Sequence, residues 1–242
     1  MDSADLTEIW VYLAATPLLG LTLTLVAYLI GVRCYQASGG NPAVNPVAIA
    51  IVLIMLYLFA SGTAFQTYFD GAQFVHFLLG PATVAFAVPL YQQMARLRAL
   101  ALPMLVGVVG GVVAGTLSSV VLARLLGASN GTVLSVAPKS MTTPIAMGVA
   151  EKLGGLPSLT AVLVISTGIV GAILGTRLFA LLRVEDDAVK GIAMGLNAHG
   201  IGTARAFQVS PQMGAFSGLG MALMAFIGPL IVPPLLEFFG FV

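Results

Sequence analysis

The chain has 242 residues, of which 59% are hydrophobic and only 8% charged, with a formal net charge of +1. Soluble domains carry roughly 25% charged residues, so this composition excludes a water-soluble domain. The near-neutral charge excludes nucleic acid as an electrostatic partner. A mean hydropathy of +1.04 identifies a polytopic membrane protein. The single cysteine, Cys34, excludes an internal disulfide framework and any multi-cysteine metal site. The start, Met-Asp-Ser-Ala-Asp, has no basic region, so a cleaved signal peptide is not expected.

A helix needs about 20 apolar residues to cross the hydrocarbon core. Residues 9–30, 47–67, 100–126 and 156–182 meet that requirement. Residues 213–239 are long enough but carry Pro229, Pro233 and Pro234, so the end of this span is expected to be kinked or unwound. Three further apolar segments are faulty. Residues 74–94 contain Gly80-Pro81 and Pro89, residues 132–150 contain Pro138 and Pro144, and residues 188–207 contain Gly191, Gly195, Gly200 and Gly202. Proline removes a backbone donor, and glycine costs about 1 kcal/mol relative to alanine in a helix interior. Broken helices or re-entrant hairpins covered by other helices fit these segments better than lipid-facing spans. The expected fold is all-α. It is a polytopic transmembrane helical bundle with broken or re-entrant helices, forming a single transmembrane domain over residues 1–242.

A broken segment followed by a long helix occurs three times, over 74–126, 132–182 and 188–239. An offset of 61 residues pairs Gly107 with Gly168, Ala137 with Ala198 and Thr142 with Thr203, which makes an inverted repeat a candidate. Lysines and arginines near span ends set orientation. Arg33, Arg96, Arg98, Arg183 and Lys190 place their ends in the cytoplasm, with Arg124 a mild violation. On this orientation both ends of 132–150 fall on the outer side, as a hairpin entering from outside. Residues 188–207 would then enter from the cytoplasm, and the two tips would meet near the midplane. The alternative is that both segments cross fully as unwound helices, which Arg124 and Lys152 slightly favour.

The polar residues of the spans concentrate in two of the broken segments. Ala137-Pro138-Lys139-Ser140-Met141-Thr142-Thr143-Pro144 carries a lysine and three hydroxyls. A cation near a helix centre costs at least about 2.5 kcal/mol on insertion scales and needs a partner. No Asp or Glu lies in a nearby apolar segment; Glu151 is about three turns away along a helix. An anionic substrate is therefore the candidate partner of Lys139, with Ser140, Thr142 and Thr143 as hydroxyl donors or as caps of a half-helix starting near Pro144. The bland alternative is a loop-tip lysine that snorkels to water. Asn197-Ala198-His199-Gly200-Ile201-Gly202-Thr203-Ala204-Arg205 is the second cluster. Arg205 can grip a carboxylate bidentately, and His199 titrates near neutral pH and could couple proton movement. Asn197 and Thr203 add polar groups; the alternative for His199 is a hydrogen-bonded structural residue. The glycine pairs Gly107–Gly111–Gly115, Gly171–Gly175, Gly191–Gly195 and Gly214–Gly218 permit close helix approach within or between chains. No His-Glu-x-x-His, Gly-x-Ser-x-Gly or phosphate loop is present, so no enzyme activity, cofactor or metal is expected.

Three strings carry a resemblance. They are residues 77–91 (Phe-Leu-Leu-Gly-Pro-Ala-Thr-Val-Ala-Phe-Ala-Val-Pro-Leu-Tyr), 137–146 (Ala-Pro-Lys-Ser-Met-Thr-Thr-Pro-Ile-Ala) and 197–206 (Asn-Ala-His-Gly-Ile-Gly-Thr-Ala-Arg-Ala). In this order they resemble the LrgB/CidB family over nearly the whole chain, roughly residues 7 to 240. The resemblance implies a bacterial inner-membrane protein of holin- or antiholin-like description that modulates murein hydrolase export and autolysis. It also implies a small LrgA/CidA-type membrane partner. Plant relatives resemble a plastid glycolate/glycerate carrier, and some bacterial relatives are linked to pyruvate uptake. The residues and the resemblance together lead to three expectations. The first is a carrier of small monocarboxylates, with Lys139, Ser140, Thr142 and Thr143 facing Asn197, His199, Thr203 and Arg205. The second is a holin-like pore controlling hydrolase release, and the third a regulatory subunit that gates the small partner. Lipid and a small anion are the expected partners, with a homodimer suggested by the glycine-rich faces.

Overall fold

With so few polar side chains, the backbone N–H and C=O groups must be satisfied within the chain, and helices do this segment by segment. The computed structural model describes residues 17–78, 81, 84–85 and 87–242; these are helical with no strand. The expected start of the first span, residues 9–16, and Gly80 lie outside the described residues. Contacts divide the chain into two compact units, residues 1–85 and 86–242.

The first unit contains α1 (Pro17–Ala37), α2 (Pro46–Ser61) and α3 (Phe65–Phe77). Asn45 caps α2, its side chain accepting from the amides of Val47 and Ala48 at 2.9 and 3.1 Å. Gly62 ends α2 in the left-handed region at φ 66°, so α2 is 16 residues long and the expected 47–67 span is cut short. Two close approaches hold α1: Gly20 lies on the backbone of α3 at Tyr68, and Gly31 lies on Pro46. The Thr24 hydroxyl and the Tyr68 phenol share a 2.8 Å hydrogen bond.

The second unit begins with two short helices, α4 (Ala87–Gln92) and α5 (Met94–Ala99), and continues with α6 (Ala101–Leu125), α7 (Asn130–Val136) and α8 (Thr143–Leu153). It ends with α9 (Pro157–Leu181), α10 (Asp187–Val209) and α11 (Pro211–Phe238). Helices α1, α6, α9 and α11 are long and apolar enough to cross a membrane. The last three bury residues four apart: Val108, Val112, Thr116 and Val120 on α6; Thr160, Val164, Gly168 and Ala172 on α9; Met224, Gly228, Val232 and Leu236 on α11. Such rows are the ridges that pack into neighbouring grooves. The expected unwinding at the end of the last span does not occur: α11 is one helix through Pro229, Pro233 and Pro234. Covering packing explains this, since Met141 lies against Gly228, directly before Pro229.

Helix α10 is a hairpin. His199 takes φ 40° and ψ −132°, which reverses the chain. A methyl group at Gly202 would sit 3.0 Å from the carbonyl oxygen of Met194. In a straight helix those residues stand about 12 Å apart. Gly195 on the entering arm and Thr203 on the returning arm both meet Ser217 of α11. The two ends are tied together, because Ser210 donates to the Asp187 carboxylate at 2.7 Å. Lys190 adds a 3.0 Å ion pair to Asp187, and Asp186 caps the helix while pairing with Arg96 of α5.

Helices α7 and α8 form the other hairpin. The chain turns through 137–142, with Lys139 N–H on the Val136 carbonyl and Met141 N–H on the Pro138 carbonyl at 3.1 and 3.0 Å. Thr142 is extended, and Pro144 stands in the first turn of α8, where it needs no donor. The returning end comes back to α7, since Leu156 N–H donates to the Ser135 hydroxyl at 2.7 Å.

The two hairpins approach α9 from opposite ends. The entering arm of α10 runs antiparallel along it, with Met194 at Gly175, Ala198 at Gly171 and His199 at Gly168. Near the other end, Thr160 donates to the Ser135 carbonyl at 3.0 Å. Both segments therefore fold back on themselves as helical hairpins. The 61-residue offset maps Pro138 onto His199, so the two breaks fall at matching positions.

Two outcomes follow from this packing. Gly195→Ala places a methyl group on the Ser217 carbonyl and lowers stability by about 1–3 kcal/mol. Gly107→Ala, with open space around it, is neutral or slightly stabilising. Thermal melts in detergent by size-exclusion fluorescence distinguish them. The hairpin base should also respond to acid. The hydrogen bond from Ser210, then that from Lys190, holds the Asp187 carboxyl below its ordinary range. That stabilisation is full above the unfolded value of about 3.9 and fades as pH falls through the lower folded value. Tm therefore falls on acidification below about pH 4, and Asp187→Asn reduces that dependence.

Candidate functional site

Helix α6 is the wall against which both hairpins place polar groups. Along its N-terminal half, a mostly apolar cavity of about 320 Å³ separates it from the entering arm of α10, with Pro103, Gly107, Gly111, Leu196 and Asn197 in its lining. Asn197 stands beside Gly115, where an added methyl group would be 3.9 Å from its Oδ1. Along the C-terminal half, an open groove of about 320 Å³ lies between α6 and the α7–α8 turn, lined by Ser118, Ser119, Leu122, Val136 and Lys139. Lys139 and Asn197 thus come from different hairpins and both face α6, Asn197 at Gly115 and Lys139 across the groove lined by Ser118, Ser119 and Leu122.

The first motif is placed as a polar tip. Lys139 is half-buried, and its Nζ lies 3.4 Å from the Ser140 hydroxyl. Among the described residues no carboxylate stands within ion-pair distance of it. Ser140 is buried at 8% exposure. Thr142 is the extended residue before α8, and Thr143 begins the helix; no side chain caps that first turn. The amides there form the positive end of an eleven-residue helix that begins four residues after the lysine.

The second motif divides. Asn197 is exposed and donates to the Ala193 carbonyl at 3.0 Å, which leaves its oxygen toward α6. His199 is buried, and its Nε2–H donates to the Val164 carbonyl of α9 at 2.9 Å. A positive φ on a residue with a Cβ costs of order 1–3 kcal/mol and persists only when its surroundings fix it. That hydrogen bond and the tight seat at Gly168 do so; a methyl group at Gly168 would lie 2.6 Å from the His199 ring. Thr203 is fully buried and donates to the His199 carbonyl at 2.8 Å. Its proton is thereby committed, so Ser217 is the donor in their 3.0 Å contact. Arg205 is half-buried on the returning arm and donates to Gln208 at 3.0 Å. Lys139 makes no hydrogen bond to this motif. The two hairpins that carry these sets both pack on α6 and α9. No cluster of three His, Cys, Asp or Glu able to hold a metal exists among the described residues.

Sequence reasoning passed over Ser118 and Ser119, which share the groove with Lys139, and over Ser135, Thr160 and Ser217, which anchor the hairpins. Ser118 and Ser119 had a signal: adjacent hydroxyls three and four residues after Gly115 in an otherwise clean apolar helix.

Residues 24–238 match the model of the LrgB-like family. The chain is 36% identical to the protein YxaC of Bacillus subtilis (strain 168), over 88% of this chain and 94% of that protein. It is 30% identical to a protein named holin-like protein CidB from Staphylococcus epidermidis, over 90% and 95%. Against a protein named antiholin-like protein LrgB from Bacillus cereus (strain B4264), identity is 28%, over 93% and 98%. No solved structure matches.

The hold on the second tip is open to a direct check. Gly168→Ala forces the His199 ring aside and lowers stability by about 1–3 kcal/mol. Gly115→Ala only brings a methyl group to ordinary contact with Asn197 and leaves the melt unchanged. Equal melts for the two variants would contradict the seat assigned to His199.

Proposed function

The chain belongs to the LrgB-like family, and on that premise we propose that it is a carrier of small monocarboxylate anions in the bacterial inner membrane. The observation that carries the reading is Lys139. It is a half-buried cation at the tip of a re-entrant hairpin, beside an open groove, with no carboxylate partner among the described residues. A cation at that depth needs compensation, and a mobile carboxylate supplies it. In this reading Lys139 binds the carboxylate, and Ser140, Thr142 and Thr143 shape the tip around it. Asn197 presents a polar group from the opposite hairpin. His199 and Thr203 act by holding that hairpin in position, since their hydrogen bonds are made within the protein. Arg205, farther along the returning arm, is a second cation for an anion leaving the tip. A small LrgA/CidA-type membrane protein and a second copy of the chain are the proposed partners.

The names of the relatives favour a second reading. Proteins named holin-like and antiholin-like suggest a lesion that controls hydrolase release, or a subunit that regulates one. That role needs a wide lumen formed by several copies, whereas the polar groups here gather inside one chain.

Purified protein in proteoliposomes separates these readings. The carrier shows saturable uptake of glycolate, lactate or pyruvate. Lys139→Gln lowers uptake at sub-saturating substrate by about tenfold or more, the value of a charge-assisted hydrogen bond. Linear uptake indifferent to Lys139, together with leakage of dyes far larger than a three-carbon acid, contradicts the carrier and supports the pore.

A further inference from the structure

The apolar cavity between α6 and the entering arm of α10 has no part in binding a three-carbon acid. Its shape and its charged end fit a different ligand. Along α6 the lining runs from Leu100 through Met104 and Gly107 to Gly111, and Ile192 and Leu196 of α10 face it. Eleven residues of helix span about 16 Å. That is close to half of a hydrocarbon core of about 30 Å, which is one leaflet. Pro103, Gly107 and Val189 on the rim are exposed, so the slot opens sideways. Nothing lies within 4 Å of a methyl group placed at Gly107. Asn197, the one polar side chain of the lining, stands beyond Gly111, at Gly115.

The slot begins at a basic end. Leu100 follows Arg98 by two residues, and the ion pair of Arg96 with Asp186 ties α5 to the start of α10 there. Arg98 is exposed and makes no hydrogen bond or ion pair among the described residues. Segments 94–100 and 177–190, which meet at this end, hold five basic side chains and three acidic ones. Basic pockets between spanning helices attract anionic lipid headgroups.

We propose that this slot binds one anionic phospholipid, with an acyl chain between α6 and α10 and the phosphate on Arg98. The proposal does not depend on the carrier reading. An acyl chain is common to all phospholipids, so the slot fixes the place and Arg98 supplies the preference for a negative headgroup. A zwitterionic headgroup carries the same phosphate together with its own cation, which competes with Arg98.

The test is native mass spectrometry of the full chain released from a neutral detergent. Phosphatidylglycerol and phosphatidylcholine with the same acyl chains are titrated separately. One phosphatidylglycerol is expected to bind about tenfold more tightly than phosphatidylcholine, the value of a charge-assisted hydrogen bond. Arg98→Gln should bring phosphatidylglycerol to the level of phosphatidylcholine. Arg124→Gln, at the other end of α6, should keep the difference. Gly107→Leu fills the slot and should abolish the tight binding. Gly110→Leu, with equally open surroundings but outside the slot, should not. Equal affinity for the two lipids in the unaltered protein overturns the proposal. So does an Arg98→Gln variant that keeps the tenfold difference, or an equal effect of the two leucine variants. If Gly107→Leu does not fold, the two arginine variants decide alone. A Gly107→Leu variant that breaks a dimer and leaves phosphatidylglycerol binding intact gives the slot to a second copy of the chain and overturns the lipid. Each of these outcomes leaves the carrier reading as it stands.

Discussion

A chain that reverses inside a membrane exposes backbone groups where water cannot reach them, and this constraint organises the second unit of the protein. Each reversal must be covered and hydrogen-bonded by neighbouring helices. The structure meets that requirement on one face of α9. Thr160 and Val164, one turn apart, bond to the first and second hairpins through Ser135 and His199 respectively. Close approach is then needed along the rest of that face. Gly168, Gly171 and Gly175 provide it, seating His199, Ala198 and Met194. The same economy governs α11, where Ser217 joins both arms of α10 and Gly228 receives Met141 from the other hairpin.

The polar tips follow from the way the hairpins are held. They approach α9 from opposite ends, and each sets a polar side chain along α6. Asn197 then lies at Gly115, and Lys139 lies in the groove with Ser118 and Ser119. The two motifs take different parts despite their similar composition. Around His199, hydrogen bonds close on themselves through Val164, Thr203 and Ser217, which makes that tip a fixed frame. Around Lys139, the bonding stays open, with a single long contact to Ser140. Broken helices that meet from opposite sides with unwound backbone and helix termini near the midplane are the general architecture of carrier sites.

Much of this was legible in the sequence, for identifiable reasons. Proline and glycine in otherwise apolar segments marked both reversals. The resemblance read from 77–91, 137–146 and 197–206 agrees with the family match over 24–238. What could not be read depends on contacts distant in sequence. The three prolines of α11 argued for unwinding, yet covering by other elements keeps the helix whole. The glycine pairs of α9 were visible as packing signals, but not that they seat the entering arm of α10. The bond from His199 to Val164, 35 residues away, was likewise not visible in the sequence. That Ser118 and Ser119 share a groove with Lys139 depends on the fold and could not be read.

The account stands on two hairpins inserted from opposite faces of the membrane. Site-directed thiol labelling with a membrane-impermeant reagent tests this most directly, in a Cys34→Ser background. Single cysteines at Asn130 and Lys152 bracket the first hairpin, and at Glu185 and Val209 the second; all four positions are exposed in the structure. The account predicts that the first pair reacts from one face of sealed vesicles and the second pair from the opposite face. If the two members of either pair react from different faces, that segment crosses the membrane and the site as described does not exist.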